Sequence, residues 1–187
     1  MKLPEEAVAQ LVKECAKIKL SGRRNLVRVL CSIDLKHTKR VMDVITEKIK
    51  CSLPDDGKLT ASSSRVVIAP PRAHVNWWTP GPIHRDCDTE LPGYLSILVL
   101  MNDVGQKNGS VKLWPGTQHT TLNDRDPNKS VAGKEFVYMT GKKGTAFVFD
   151  SRLLHRSVGN QTETACLKVQ WFCNISAVRT PVVAPGY

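Results

Sequence analysis

Apolar residues recur at Val8, Leu11, Val12, Cys15 and Ile18, the i, i+3, i+4, i+7 spacing of one helical face. The pattern predicts an amphipathic helix over 4–19, with Pro4, Glu5 and Glu6 suited to its N-terminus and Ser21-Gly22 ending it. Residues 26–31 read as a short strand. Residues 35–50 return to helical spacing through Val41, Ile45 and Ile49, and Pro54 to Gly57 reads as a turn. From Ser64 the pattern changes. Arg65–Ala69, 94–101, 110–114, 135–139, 145–149 and 166–173 are short runs rich in Val, Leu, Phe and Trp. Gly and Pro punctuate the gaps, at Pro80-Gly81-Pro82, Pro92-Gly93, Asn108-Gly109 and Pro115-Gly116. Many short strands with regular turn signals predict a sandwich or barrel. Residues 120–134 show no periodicity and read as a polar loop; 179–187 reads as an irregular tail. The expected organisation is a single domain over 1–187, with a helical annex at 1–60 and a β core at 61–178.

Composition narrows the class. The longest apolar run, Leu95 to Met101, falls far short of the ~20 residues that span a bilayer. The first ten residues are acidic and amphipathic, unlike a signal peptide. The expectation is a cytoplasmic protein without a membrane partner. The six cysteines form no C-x-x-C pair and no zinc-knuckle spacing, so they are expected as thiols. A net charge of +10 is shared between the first 60 residues and the rest. Without a basic block or an aromatic-plus-basic motif, it reads as a solvated surface in preference to a nucleic-acid footprint.

The candidate chemistry begins at His84-Arg85-Asp86. In an extended segment side chains at i and i+2 share a direction, so His84 and Asp86 project together. His155, which follows the strand ending at Asp150, could add a second imidazole. Two His and one carboxylate on one face of a metal leave three positions open, the arrangement of non-haem Fe(II) oxygenases.

Three motifs in order make the chain resemble the phytanoyl-CoA dioxygenase-like family of Fe(II)/2-oxoglutarate oxygenases. They are Pro82-Ile83-His84-Arg85-Asp86, the stretch Leu98 to His119 and the stretch Lys143 to Asn160. The resemblance covers about Trp78 to Phe172. It implies a double-stranded β-helix, or jelly roll, against which the N-terminal helices read from the periodicity would pack. It implies Fe(II) held by His84, Asp86 and His155, with 2-oxoglutarate and O2 as co-substrates. The implied reaction hydroxylates a C–H bond and releases succinate and CO2. Halogenating relatives lack the carboxylate, so Asp86 points to hydroxylation.

The chain departs from the family at the arginine that grips the far carboxylate of 2-oxoglutarate. Its place falls on Ala165 or Cys166, and neither can do this. Lys168 shares a strand face with Cys166 and Gln170 and is the expected substitute, a point charge in place of a fork. Arg65 is the second candidate, and Ser157 matches a position near the co-substrate. Leu167, Val169, Trp171 and Cys173, on the opposite face, should be packed. Arg156 should point away from the metal. Asp150, Ser151 and Arg152 should orient the strand end near His155.

Trp77 and Trp78 precede the first motif and suit either a substrate pocket or the core; Trp78 is the substrate-binding candidate. His119 is expected to stabilise its loop, and His37 and His74 to lie on the surface. Asn108-Gly109 reads as a turn. Two other functions fit parts of the pattern. One is a non-catalytic metal-binding or interaction module. The other is a cupin-like metalloenzyme without 2-oxoglutarate, for which His119 would be the extra ligand.

Overall fold

A computed structural model describes residues 1–16, 29–32, 39–53, 57–72, 82–87, 93–120 and 126–176. Helix α1 spans Glu5–Ala16 and α2 spans Lys39–Ile49. The strands are β1 Val29–Ser32, β2 Lys58–Ala69, β3 Tyr94–Leu100, β4 Val111–Leu113, β5 Val137–Met139, β6 Ala146–Asp150, β7 His155–Ser157 and β8 Cys166–Ser176. A short helix α3, Pro127–Val131, lies between β4 and β5. All pairings are antiparallel, in a five-stranded sheet of order β1-β2-β8-β3-β6 and a three-stranded sheet of order β5-β4-β7.

The period-2 alternation of β8 decides how the layers stack. Val169, Trp171 and Cys173 are at most 1% exposed and join the buried cluster that also holds Leu11 of α1 and Val41 and Ile45 of α2. Val66, Ile68, Ile97 and Val99 add to that cluster from β2 and β3. One face of the large sheet is therefore covered by the two helices. The other face meets the small sheet, where Leu98 and Phe149 pack on Val111, Leu113 and Met139. The jelly-roll architecture and the apolar face of β8 follow the sequence expectation.

Ile45 is fully buried at the centre of the helix–sheet seam. Ile45→Ala should therefore cost about 2–5 kcal/mol by removing buried methyl groups and leaving a cavity. Urea unfolding would measure this; a loss under about 0.5 kcal/mol, the range of surface substitutions, would show that α2 does not pack as described.

Several boundaries differ from the sequence reading. Strand β2 begins at Lys58, seven residues before the expected start at Arg65. Its first half, Thr60-Ala61-Ser62-Ser63-Ser64, is small and polar and lacks a strand signature, yet it pairs with β8 across a bulge between Ala61 and Ser63. The expected loop 120–134 contains α3. Its N-cap is Asp126, whose Oδ1 accepts from Asn128 N at 3.0 Å, with Pro127 at the first helical turn. That Asp-Pro start signal was present in the sequence. Strand β7 has only three residues, too few for a periodicity. The expected elements at 17–19, 26–28 and 35–38, the turn at 54–56 and the tail from 179 lie outside the described residues. Among the described residues no helix is long and apolar enough to cross a membrane. Five cysteines, Cys15, Cys51, Cys87, Cys166 and Cys173, are free thiols, and burial pushes the Cys173 thiol up to about 12.

Candidate metal centre

His84 and His155 form an antiparallel bridge. His84 N donates to His155 O and His155 N donates to His84 O, both at 3.0 Å. Directly opposed residues in such a pair send their side chains to the same face. The imidazole rings accordingly lie 4.4 Å apart, centroid to centroid. Asp86 N donates to Ser151 O at 2.8 Å, outside the register of the bridge, and Asp86 emerges beside the two rings. One ligand atom from each of His84, Asp86 and His155 lies within 4.8 Å of the others. Asp86 Oδ1 is 3.6 Å from His155 Nε2 and 3.9 Å from His84 Nε2. The i, i+2 reading thus holds, and the backbone bridge supplies the third group.

The surroundings settle which atoms face inward. His84 Nδ1 lies 3.0 Å from Pro82 O, and His155 Nδ1 lies 2.9 Å from Leu153 O. A carbonyl only accepts, so each Nδ1 carries a proton, and each Nε2 is the nitrogen turned toward Asp86. Asp86 Oδ2 accepts from Ser96 Oγ at 2.6 Å and from Gln170 Nε2 at 2.8 Å. With Oδ2 occupied, Oδ1 is the oxygen left for a cation. Burial pushes the Asp86 carboxyl up, but its hydrogen bond and charge interaction with His155, the Ser96 hydroxyl and Arg65 outweigh burial and hold it below the usual carboxylate range. The donor set is therefore two imidazole nitrogens and one ionised oxygen on one face. It fits a divalent first-row metal with open positions.

Ser96 and Gln170 were not singled out in the sequence as holding the carboxylate. Ser96 did carry a signal: it is the one polar residue within Leu95–Met101, and it is fully buried. Its hydroxyl also contacts Ser151 Oγ at 2.9 Å, so Ser151 bears on the Asp86 side of the site. Ser96→Ala should lower divalent-metal affinity about 10- to 100-fold, the usual effect of removing an outer partner of a metal ligand. Calorimetric titration with Mn(II) would show it, and unchanged affinity would mean that Gln170 alone holds Asp86. Asp150 and Arg152 close the turn before Leu153 through a 2.7 Å ion pair. That turn places the carbonyl on which His155 Nδ1 rests.

A small cavity of about 20 Å³ opens beside the triad, between the sheets. His84 and His155 line its metal end, and all three expected anchor residues, Arg65, Ser157 and Lys168, stand in its wall. Val67, Leu98, Val111 and Phe149 supply apolar walls. Lys168 is 1% exposed, and its Nζ donates to Gly109 O. Cys166 Sγ also contacts Gly109 O, at 3.8 Å. The Lys168 ammonium therefore ends at the level of Cys166, one pleat deeper than its own Cα. Gly109, expected only as part of a turn, has φ +87°, and a Cβ there would come within 3.0 Å of Ala69 and Cys166. The close approach of its carbonyl to Lys168 depends on glycine.

Arg156 points away from the cavity, with its guanidinium 5.8 Å from the Trp114 ring. His119 pairs with Gln118 at 3.0 Å and does not join the cluster. Trp77, Trp78 (the substrate-binding candidate), His37 and His74 lie outside the described residues.

Comparison with known proteins agrees with this geometry. No curated protein sequence matches the chain. Among solved structures, EvdMO1 superposes with a TM-score of 0.72 at 16% identity, covering 94% of this chain and 46% of EvdMO1. The chain thus spans about half the length of that protein. AviO1 from Streptomyces viridochromogenes Tue57 gives 0.68 at 19% identity, covering 99% of this chain and 89% of AviO1. SnoK, a non-haem alpha-ketoglutarate-dependent carbocyclase from nogalamycin biosynthesis, gives 0.68 at 16% identity, covering 94% of this chain and 77% of SnoK. At these identities the likeness establishes the shared fold. The model of the family described as phytanoyl-CoA dioxygenase (PhyH) matches residues 63–165, which contain the bridge, the triad and the strands that hold them. With more than half of its length matched, from β2 to the last residue before β8, the chain belongs to the phytanoyl-CoA dioxygenase family.

Proposed function

We propose that the chain is a non-haem Fe(II)- and 2-oxoglutarate-dependent oxygenase that hydroxylates a C–H bond, with release of succinate and CO2. The observation that carries this is the convergence of His84 Nε2, Asp86 Oδ1 and His155 Nε2 at one end of a cavity whose wall also holds the Lys168 ammonium. Family membership and the carbocyclase SnoK, whose dependence on alpha-ketoglutarate is stated in its description, support it.

His84, Asp86 and His155 would hold Fe(II) on one face. Bound Fe(II) supplies the centre at which O2 is activated at the expense of 2-oxoglutarate decarboxylation. The protein's own residues do the positioning. Ser96 and Gln170 keep Asp86 Oδ2 engaged, which leaves Oδ1 as the oxygen that would hold the metal. Lys168 would receive the far carboxylate, and Ser157 would donate its hydroxyl to the same group. Val67, Leu98, Val111 and Phe149 would offer apolar walls to the carbon chain between the two carboxylates. A lysine cannot grip both oxygens of a carboxylate as an arginine does, so Ser157 compensates for the missing fork.

The test is an anaerobic titration of the Fe(II)-loaded protein with 2-oxoglutarate, followed by visible absorption. Chelation of the metal by the keto and carboxylate oxygens gives a weak charge-transfer band in the green. Its appearance is the expected result. Fe(II) binding without the band at millimolar 2-oxoglutarate would sink the co-substrate reading and favour a cupin-like or non-catalytic role. The position of His119 outside the cluster speaks against the cupin-like alternative.

A further inference from the structure

Arg65 is a cation held beside the oxygen that a metal would need. Its Nη2 lies 3.6 Å from Asp86 Oδ1, the carboxylate oxygen turned toward both imidazole Nε2 atoms. It is held in place from two sides. Nε and Nη2 both donate to Gln170 Oε1, at 3.0 and 2.8 Å, across the β2–β8 pairing in which Arg65 faces Gln170. On another side the guanidinium carbon sits 4.6 Å from the centroid of the Phe172 ring. A side chain so tethered does not swing aside freely when a cation arrives.

The charges in the cavity make this consequential. Asp86 brings one negative charge, whereas Arg65 and Lys168 bring two positive ones. A divalent metal would add to an existing positive excess inside a site where Asp86 and Lys168 are almost fully buried. Like charges at this separation and burial are poorly screened. A dianion entering with the metal removes the conflict, because its charge offsets both cations and gives Arg65 a partner other than Asp86.

We propose that Arg65 makes divalent-metal binding and 2-oxo-acid binding interdependent: its charge opposes the metal alone and favours the metal together with the dianion. This rests on the functional reading above. Linkage requires the effect to be reciprocal, so the metal tightens the acid by the same factor by which the acid tightens the metal. Gln170 transmits a second consequence. Because its Oε1 faces Arg65, its Nε2 is turned to Asp86 Oδ2, so the guanidinium also sets the amide orientation that frees Oδ1.

The experiment measures Mn(II) affinity of the intact chain by electron paramagnetic resonance, with and without 2-oxoglutarate, in the wild type, Arg65→Gln and Arg65→Lys. Arg65→Gln keeps an N–H donor for Gln170 and removes the charge; Arg65→Lys keeps the charge and loses the fork. In the wild type 2-oxoglutarate should tighten Mn(II) about tenfold or more. Arg65→Gln should bind Mn(II) alone about tenfold more tightly than wild type, with the coupling reduced by a similar factor. Arg65→Lys should stay near wild type. If the wild type shows coupling and Arg65→Gln retains all of it, the proposal alone is overturned. It is overturned too if Arg65→Lys tightens Mn(II) as much as Arg65→Gln, since charge would then not be the cause. If 2-oxoglutarate leaves the wild-type Mn(II) affinity unchanged, the functional reading fails and the proposal falls with it.

Discussion

Replacing His155 with alanine should abolish the green charge-transfer band and lower divalent-metal affinity by more than about 100-fold, beyond the range expected for an outer partner such as Ser96. The reason is local. His155 is 5% exposed, its Nδ1 is held by Leu153 O, and its Nε2 points at Asp86 Oδ1. No other imidazole among the described residues stands near enough to replace it, since His119 is paired with Gln118 and lies outside the cluster. Metal content after dialysis and Mn(II) titration provide the measurement. A variant that binds metal like the wild type would remove His155 from the ligand set. The backbone bridge to His84 uses main-chain atoms, so the fold should survive, and circular dichroism before titration checks that it does.

The second large effect concerns Lys168. Lys168→Met is expected to weaken 2-oxoglutarate binding by about 2–5 kcal/mol, or roughly 30- to 4,000-fold, the usual cost of truncating one partner of a buried charged pair. Metal binding without the acid should persist, because Lys168 holds no part of the triad. The same variant should keep or raise the melting temperature of the metal-free protein. An ammonium 1% exposed is expensive to bury, and methionine fills a similar volume without that cost. Loss of co-substrate affinity without loss of stability marks a residue retained for binding and not for folding. Unchanged 2-oxoglutarate affinity would transfer the anchoring role to Arg65 or Ser157.

Much of this protein was legible in the sequence, and the legible parts share a physical character: they depend on local periodicity. The stripe Val41, Ile45, Ile49 marks α2 because residues three and four apart share a helix face. The alternation of β8 separates Val169, Trp171 and Cys173 from Lys168 and Gln170 because strand side chains alternate. The same rule brought His84 and Asp86 to one point. The Asp-Pro start of α3 was equally local and was simply passed over in a polar stretch.

What only the tertiary structure decided is long-range and polar. The first half of β2 has no strand-like composition; it is a strand because β8 pairs with it. The register that sets Arg65 opposite Gln170 joins residues 105 apart in the chain, and nothing in either local sequence specifies it. The choice of Oδ1 over Oδ2 on Asp86 depends on Ser96 and Gln170 arriving from two different strands. The depth reached by the Lys168 ammonium depends on Gly109, brought close to Cys166 from a distant turn. Residue types and spacing thus determined which groups could form the site, since side-chain chemistry and helix or strand periodicity are properties of the local chain. Their mutual orientation was decided by strand register and by hydrogen bonds across the two sheets, which exist only once the chain has folded.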